Sequence, residues 1–358
     1  MLDKREVDYY SRMTEAIIGN VERVIIGKHD TVRLVVLCLA ARGHVLIEDV
    51  PGTGKTTLVS SLAKSIDCDF SRIQFTPDVM PSDVTGFSIF NQKSEEFEFR
   101  PGGVMSNIVL ADEVNRASAK TQSALLEAME ERQVTVDSVT HRLEEPFMVL
   151  ATQNPVEQFG TYPLPEAQVD RFLVKTSVGY PNFEQEVNVI ANDMAGQVAL
   201  KPVVSKSDVL ALQKAATQVK IDDSVISYIV SLVNATRDNP ELKLGSSPRG
   251  GLALARLVRA WALNEGRGYV IPDDVKALAV PTLSHRIMLT RDAQAKGRTP
   301  EAIITSIMTS IAVPMRDADV IRVTASERGS VQIADELVGA KSSSRFDEGA
   351  YATRDNPF

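Results

Sequence analysis

The chain has 358 residues, and 39 Lys and Arg against 47 Asp and Glu leave a formal charge of −8. Apolar residues make up 44% and charged residues 24%, a globular composition with length for about two domains, which excludes disorder for most of the chain. The acidic balance argues against a general nucleic-acid binder, because neutralising phosphates requires clustered Lys and Arg. The longest apolar run near the N-terminus, Leu34–Ala41, has eight residues. That is far short of the ~18 needed to span a membrane, and the polar start has no signal-peptide pattern. With Cys38 and Cys68 as the two cysteines, no disulfide framework is possible. Both read as buried thiols of a reducing, cytoplasmic compartment, and neither they nor the scattered histidines have zinc-ligand spacing.

Short apolar runs alternate with helical patterns through the first half. Val45–Glu48 reads as a strand, followed by a glycine turn and a helix over 55–66. Further strands are expected at 70–75, 108–111, 147–151 and 172–176, with a helix over 118–131. Near-continuous apolar strands separated by helices imply a parallel five-stranded sheet covered on both faces. Two hairpins are also expected, one pairing 88–90 with 97–100 and one pairing 133–137 with 140–143. After Gly179-Tyr180-Pro181 the strand signals cease. Apolar residues then recur at i, i+3, i+4 and i+7: Val187 to Met194, Ile226 to Val233, Leu254 to Trp261 and Ile304 to Ile311. The expected organisation is an α/β core over 1–180, an all-helical domain over 181–324 and a disordered tail over 325–358.

Three segments carry the chemistry. Asp49-Val50-Pro51-Gly52-Thr53-Gly54-Lys55-Thr56 lies between strand and helix, the context of a phosphate-binding loop. Gly52 and Gly54 let backbone N–H groups approach phosphate oxygens at the positive end of the following helix. Lys55 can reach β- and γ-phosphates, and Thr56 can ligate Mg²⁺. The set expected to hold nucleotide runs from Pro51 and Thr53 through Thr57. Asp49 stands where such loops usually begin with glycine. The second segment, Ile108–Glu113, ends four apolar residues in two carboxylates. On that pattern Asp112 holds Mg²⁺ and Glu113 orients or deprotonates an attacking water. The third, the strand ending in Thr152-Gln153-Asn154-Pro155, offers the Asn154 amide to the γ-phosphate or that water.

Together with 111–117, the run Glu166–Phe172 and Gly245-Ser246-Ser247-Pro248-Arg249, these motifs resemble the MoxR family of AAA+ ATPases over roughly residues 5–320. Asp49 is itself similar to what that family carries at this position. The resemblance implies an AAA+ phosphate-loop core with a helical lid, ATP and Mg²⁺ as ligands, a homo-oligomeric and hexameric ring, and a partner with a von Willebrand factor A domain. It implies that Arg171 is an arginine finger serving a neighbour's site, the alternative being a surface arginine paired with Asp170. By the same resemblance Arg249 is a second sensor of the γ-phosphate, Arg116 a further interface sensor, and the segment holding Ile26 and Gly27 the adenine pocket. The function implied is ATP-driven remodelling or maturation of protein partners. A metal-chelatase subunit and a nucleic-acid motor are the alternatives. The motor is disfavoured because acidic residues outnumber basic ones in 130–145, and no nucleic-acid partner is expected.

Overall fold

A computed structural model describes residues 2–154, 161–195 and 199–313, with the backbone alone over 192–195. The expected tail over 325–358, the end of the helical domain beyond 313, and Pro155 lie outside the described residues. Helices α1 (Lys4–Glu22) and α2 (His29–Ala40) precede strand β1 (Val45–Glu48) and helix α3 (Lys55–Ser65). Then follow β2 (Phe70–Gln74), α4 (Pro81–Thr85), the hairpin β3 (Gly86–Asn91) and β4 (Glu96–Pro101), β5 (Ile108–Asp112) and α5 (Ala119–Glu131). A second hairpin, β6 (Gln133–Val136) and β7 (Val139–Arg142), leads into β8 (Met148–Gln153), the short α6 (Glu166–Val169) and β9 (Val174–Thr176).

Five of these strands form one parallel sheet in the order β2-β5-β8-β1-β9. Successive residues of its central strands serve opposite cores, as the pleat requires. Val45, Ile47, Ile108, Leu110, Met148 and Leu150 face a core shared with α1–α3 and the later helices. Leu46, Val109, Ala111, Val149 and Ala151 face a second core under α5. The register sets Ile47 beside Thr152 and Gln74 beside Asp112, which brings the strands' C-terminal ends to one rim.

The remaining helices are α7 (Phe183–Ala195), α8 (Lys206–Gln218) and α9 (Asp223–Arg237), then α10 (Pro248–Asn264), α11 (Pro272–Leu283), α12 (Arg291–Ala295) and α13 (Pro300–Ser310). A short antiparallel ribbon, β10 (Leu242–Leu244) with β11 (Met288–Leu289), is inserted among them, so this part is helical but not purely so. Strands of three and two residues are too short to leave a period in the sequence. Helix α10 packs on α1 and α2, so the lid shares the core on the α1–α3 face of the sheet. The guanidinium of Arg286 locks this arrangement. It pairs with Asp170 at 2.8 Å and donates to the carbonyls of Phe172 at 2.6 Å and Leu173 at 3.3 Å. The Phe172 N–H is turned to the Val169 carbonyl at 3.1 Å, and the last strand begins at Val174 rather than at 172.

Cys38 is buried as expected, but Cys68 is only partly so; burial pushes the Cys68 thiol up to about 12. His44 is wholly buried between the cores. Its Nδ1 accepts the Val149 N–H at 2.9 Å, and its Nε2 faces the Met129 carbonyl at 3.1 Å, a pairing that suits the neutral ring protonated at Nε2. Burial, with the Arg132 charge adding to it, pushes His44 down from 6.5 to about 3. The unfolded chain therefore takes up a proton near pH 6.5 that the folded chain refuses until about pH 3. Stability is full above this window and is lost as pH falls through it. His285, partly buried and desolvated beside Arg286, contributes in the same direction. The urea midpoint is expected to be lower at pH ~5 than at pH ~7.5, and the difference to shrink in His44→Gln. An undiminished difference in that variant would contradict the assignment.

Candidate active site

Strand β1 runs into the loop 49–54. Gly52 and Gly54 have φ of +84° and +86°, and a Cβ at either would meet nothing within 4 Å. The glycines are thus required by backbone conformation, and the space above them is open to a ligand. Helix α3 begins at Lys55 and is anchored by buried Leu58 and Val59, so its N-terminus points into that space. Lys55 Nζ donates to the loop's own Val50 carbonyl at 2.6 Å. Thr53 is buried, while Pro51 and Thr57 are exposed at the loop's edges.

Asp49 explains its own presence. Its Oδ2 accepts the backbone N–H groups of Val178 and Gly179, both at 2.8 Å, and its Oδ1 accepts that of Val50 at 3.0 Å. A glycine could not make this bracket, which ties the loop to the chain leaving β9. The same turn receives the segment 25–28: Lys28 Nζ donates to the Tyr180 carbonyl at 2.8 Å and Gln185 Nε2 to the Gly27 carbonyl at 3.0 Å. Ile26 and Gly27 thus lie against the loop's bracket, outside the cleft that the loop itself lines.

Across the rim, Asp112 ends β5 almost completely buried. Its Oδ1 accepts the Thr152 hydroxyl at 2.6 Å, and its Oδ2 pairs with Arg72 at 2.6 Å. The Thr152 oxygen in turn accepts the Glu113 N–H at 2.9 Å, so one hydroxyl fixes both acidic residues. Glu113 sits at φ 56°, ψ 47°, a left-handed conformation that is uncommon for a non-glycine and turns it out of the strand path. Its Oε2 accepts from Gln74 Nε2 at 2.9 Å and Arg116 Nη1 at 3.0 Å. Lys55, Thr56, Asp112, Glu113 and Asn154 share a cleft of about 290 Å³. The open glycine cradle, the Lys55 cation and two oxygen donors, Thr56 and Asp112, fit a magnesium-bound polyphosphate.

Arg171 and Arg249 are elsewhere. They line a second cleft of about 580 Å³ that has no lining residue in common with the first. There Glu130 serves both: Arg171 Nε lies 3.0 Å from Oε2, and Arg249 Nη2 donates to Oε1 at 2.6 Å. Asp170 is not the partner of Arg171. Its oxygens are taken by Arg286 and, at 2.8 Å, by the Ser247 hydroxyl at the start of α10.

Comparison with known proteins agrees with this geometry. Residues 44–174 match the ATPase family associated with various cellular activities (AAA), and residues 234–307 match the AAA lid domain. An uncharacterized protein, YeaC, of Bacillus subtilis is 54% identical over 301 residues, 84% of this chain and 94% of its own. Chaperone MoxR1 of Mycobacterium tuberculosis is 42% identical over 313 residues, 85% of this chain and 83% of its own. The chain belongs to the MoxR family of AAA+ ATPases. A solved structure of a putative ATPase from Cytophaga hutchinsonii, 42% identical, superposes with a TM-score of 0.81 over 86% of this chain and 97% of that one.

In this MoxR-family ATPase the sequence reading did not find Arg72, Gln74, Thr152 or Glu130 as site residues. Arg72 and Gln74 are exposed positions of β2 on either side of buried Ile73. That alternation is a signal for a strand face, but nothing in it says that the face borders the carboxylates of β5. Removing the Asp49 bracket should be costly. Asp49→Ala leaves the Val178 and Gly179 donors without their acceptor and is expected to destabilise the fold by about 1–3 kcal/mol, with weaker nucleotide binding. An unfolding free energy within about 0.5 kcal/mol of the parent would contradict this role.

Proposed function

We propose that this chain is a ring-forming ATPase whose nucleotide site is completed by the arginines of an adjacent copy, and that hydrolysis drives remodelling of protein partners. The observation that carries the reading is the separation of the two clefts. One chain holds the phosphate loop and carboxylates in one cleft, and Arg171 with Arg249 in the other. In the first cleft Lys55 binds the β- and γ-phosphate oxygens, and the loop N–H groups from Gly52 to Thr57 cradle them, with Pro51 at the loop's edge. Thr56 and Asp112 are the residues that would hold Mg²⁺, which when bound neutralises charge on those oxygens. Arg72 keeps the buried Asp112 carboxylate paired. Glu113 accepts the proton of the attacking water, with its carboxylate aimed by Gln74 and Arg116, and Asn154 orients that water. Developing charge on the γ-phosphate then meets the neighbour's Arg171 and Arg249, cations that Glu130 holds together in the isolated chain.

A hexamer is the ring we propose, with AAA+ membership supporting a ring, and a protein bearing a von Willebrand factor A domain is the partner class that the MoxR resemblance implies. Protein as the class of substrate has support on the surface of the core. The β3–β4 hairpin exposes Phe90 and Phe97, whose rings meet edge to face at 5.4 Å, with Phe97 75% exposed. The second hairpin is joined to it by His141 stacking on Phe99 at 3.8 Å. Exposed aromatics on paired hairpins suit contact with apolar polypeptide. A named chaperone among the relatives points the same way.

Glu113→Gln is expected to bind ATP with near-parental affinity and to lose turnover by about 10²–10⁴-fold. Arg171→Ala and Arg249→Ala are expected to lose turnover in assembled protein, while ATP affinity of the dilute chain stays unchanged. Parental turnover in Glu113→Gln would remove that residue as the water-activating group. Parental turnover in both arginine variants would remove the completion of the site by a neighbour.

A further inference from the structure

The arginine cleft holds more positive charge than these roles consume. Seven of its fifteen lining residues are arginine against two carboxylates, in a chain of net charge −8. Arg171 and Arg249 are matched by Glu130, and Arg286 by Asp170 and backbone carbonyls. Arg42 and Arg132 share the single carboxylate of Glu145. Arg256 and Arg259 on α10 are left. Among the described residues no ion pair reaches either, and Arg259 Nε is buried without a hydrogen-bond partner. Burial lowers the pKa of both Arg132 and Arg256, and the Arg42 charge beside them adds to each shift. Like charges held together in partial burial cost free energy unless an anion joins them.

The four arginines 42, 132, 256 and 259 also line an adjoining cleft of about 200 Å³ that continues toward Gln213 and Thr217 of α8. The result is a trough with α10 as one wall and the Arg42 turn and the end of α5 as the other. On α10, Arg249, Leu252, Arg256 and Arg259 recur at i, i+3, i+7 and i+10 on one face. At 1.5 Å per residue this row is about 15 Å long, the length of about five residues of extended peptide. Leu252, 65% exposed, interrupts the row of charges. A polyphosphate makes no use of an apolar contact there, whereas an aliphatic side chain flanked by carboxylates matches both features.

We propose that this trough docks an extended acidic peptide of a partner protein, its carboxylates spread over Arg42, Arg132, Arg256 and Arg259 and an apolar side chain on Leu252. The inference relies on the remodelling reading for the partner's being a protein. Because Arg171 and Arg249 of the same cleft serve an adjacent copy in the ring, the binding is measured on the dilute chain and without ATP turnover. The probe is a fluorescein-labelled peptide of about eight residues, glutamates around a central leucine, titrated by anisotropy against the full chain in the Lys55→Ala background. Saturable binding that weakens with added salt is expected. The Arg256→Gln/Arg259→Gln pair is expected to weaken it about tenfold or more, and a peptide with glutamine in place of glutamate to fail to bind. Because no carboxylate among the described residues pairs with Arg256, the single Arg256→Gln variant makes the same comparison should the pair not fold. Equal affinity in the variants, or equal binding of the glutamine peptide, overturns the proposal. So does inorganic tripolyphosphate binding where the peptide does not, an outcome that makes the trough a phosphate site.

Discussion

The contact on which the rest of the arrangement depends is the buried pair of Arg286 and Asp170. Arg286 is 7% exposed, and burial lowers its pKa to about 10, still well above neutrality, while Asp170 opposes that shift. A buried cation is tolerated only when its donors are satisfied, and here a carboxylate and the carbonyls at 172, 173 and 282 satisfy them. The pair joins the turn after α11 to the segment between α6 and β9, so the helical lid is fastened to the sheet core through the residue next to Arg171. Ser247, which opens α10, bonds the other oxygen of the same aspartate. One carboxylate therefore sets where Arg249 and Arg171 come together, on Glu130 and away from Lys55.

At the opposite cleft the organising device is strand register. Parallel pairing of β2 with β5 and of β5 with β8 brings Gln74, Asp112 and the Thr152 end of β8 to the C-terminal rim, where open α/β sheets bind ligands, and Arg72, two residues back on β2, reaches Asp112 with its side chain. Asp112 gives one oxygen to Thr152 and the other to Arg72, which offsets the cost of burying its charge. Glu113, one residue further, is turned out in a left-handed conformation and remains at the surface of the cleft. Two adjacent carboxylates thus acquire different environments from their backbone positions alone, one embedded and paired, the other accessible to solvent.

Most of the core was legible in the sequence because its strands are buried on both faces and read as apolar runs, and because the phosphate loop has a glycine pattern that few other structures require. The five strands, the helix after the loop and both hairpins lie where that reading places them, within a residue or two. What was not legible depends on three-dimensional adjacency. Arg72 and Gln74 read only as the outer face of a strand, Thr152 as a polar strand end and Glu130 as one of several glutamates on α5. Asp170 beside Arg171 suggested a neighbouring pair in sequence, yet its real partner is 116 residues away. Asp49, which departs from the usual loop, is explained only once the 178–179 turn is seen folded over it.

If each nucleotide site is finished by an adjacent copy, mixed assemblies of two inactive variants will show it. Lys55→Ala removes the phosphate cation but leaves Arg171 in place, whereas Arg171→Ala keeps an intact phosphate loop and lacks the arginine. Each variant alone is expected to be inactive. Co-expressed and shown to co-assemble, the two are expected to regain part of the parental ATPase rate, because a Lys55→Ala subunit lends its Arg171 to a neighbour's working loop. A mixture that stays inactive while demonstrably co-assembled, or dilute monomer that hydrolyses ATP as fast as the assembly, would contradict the claim.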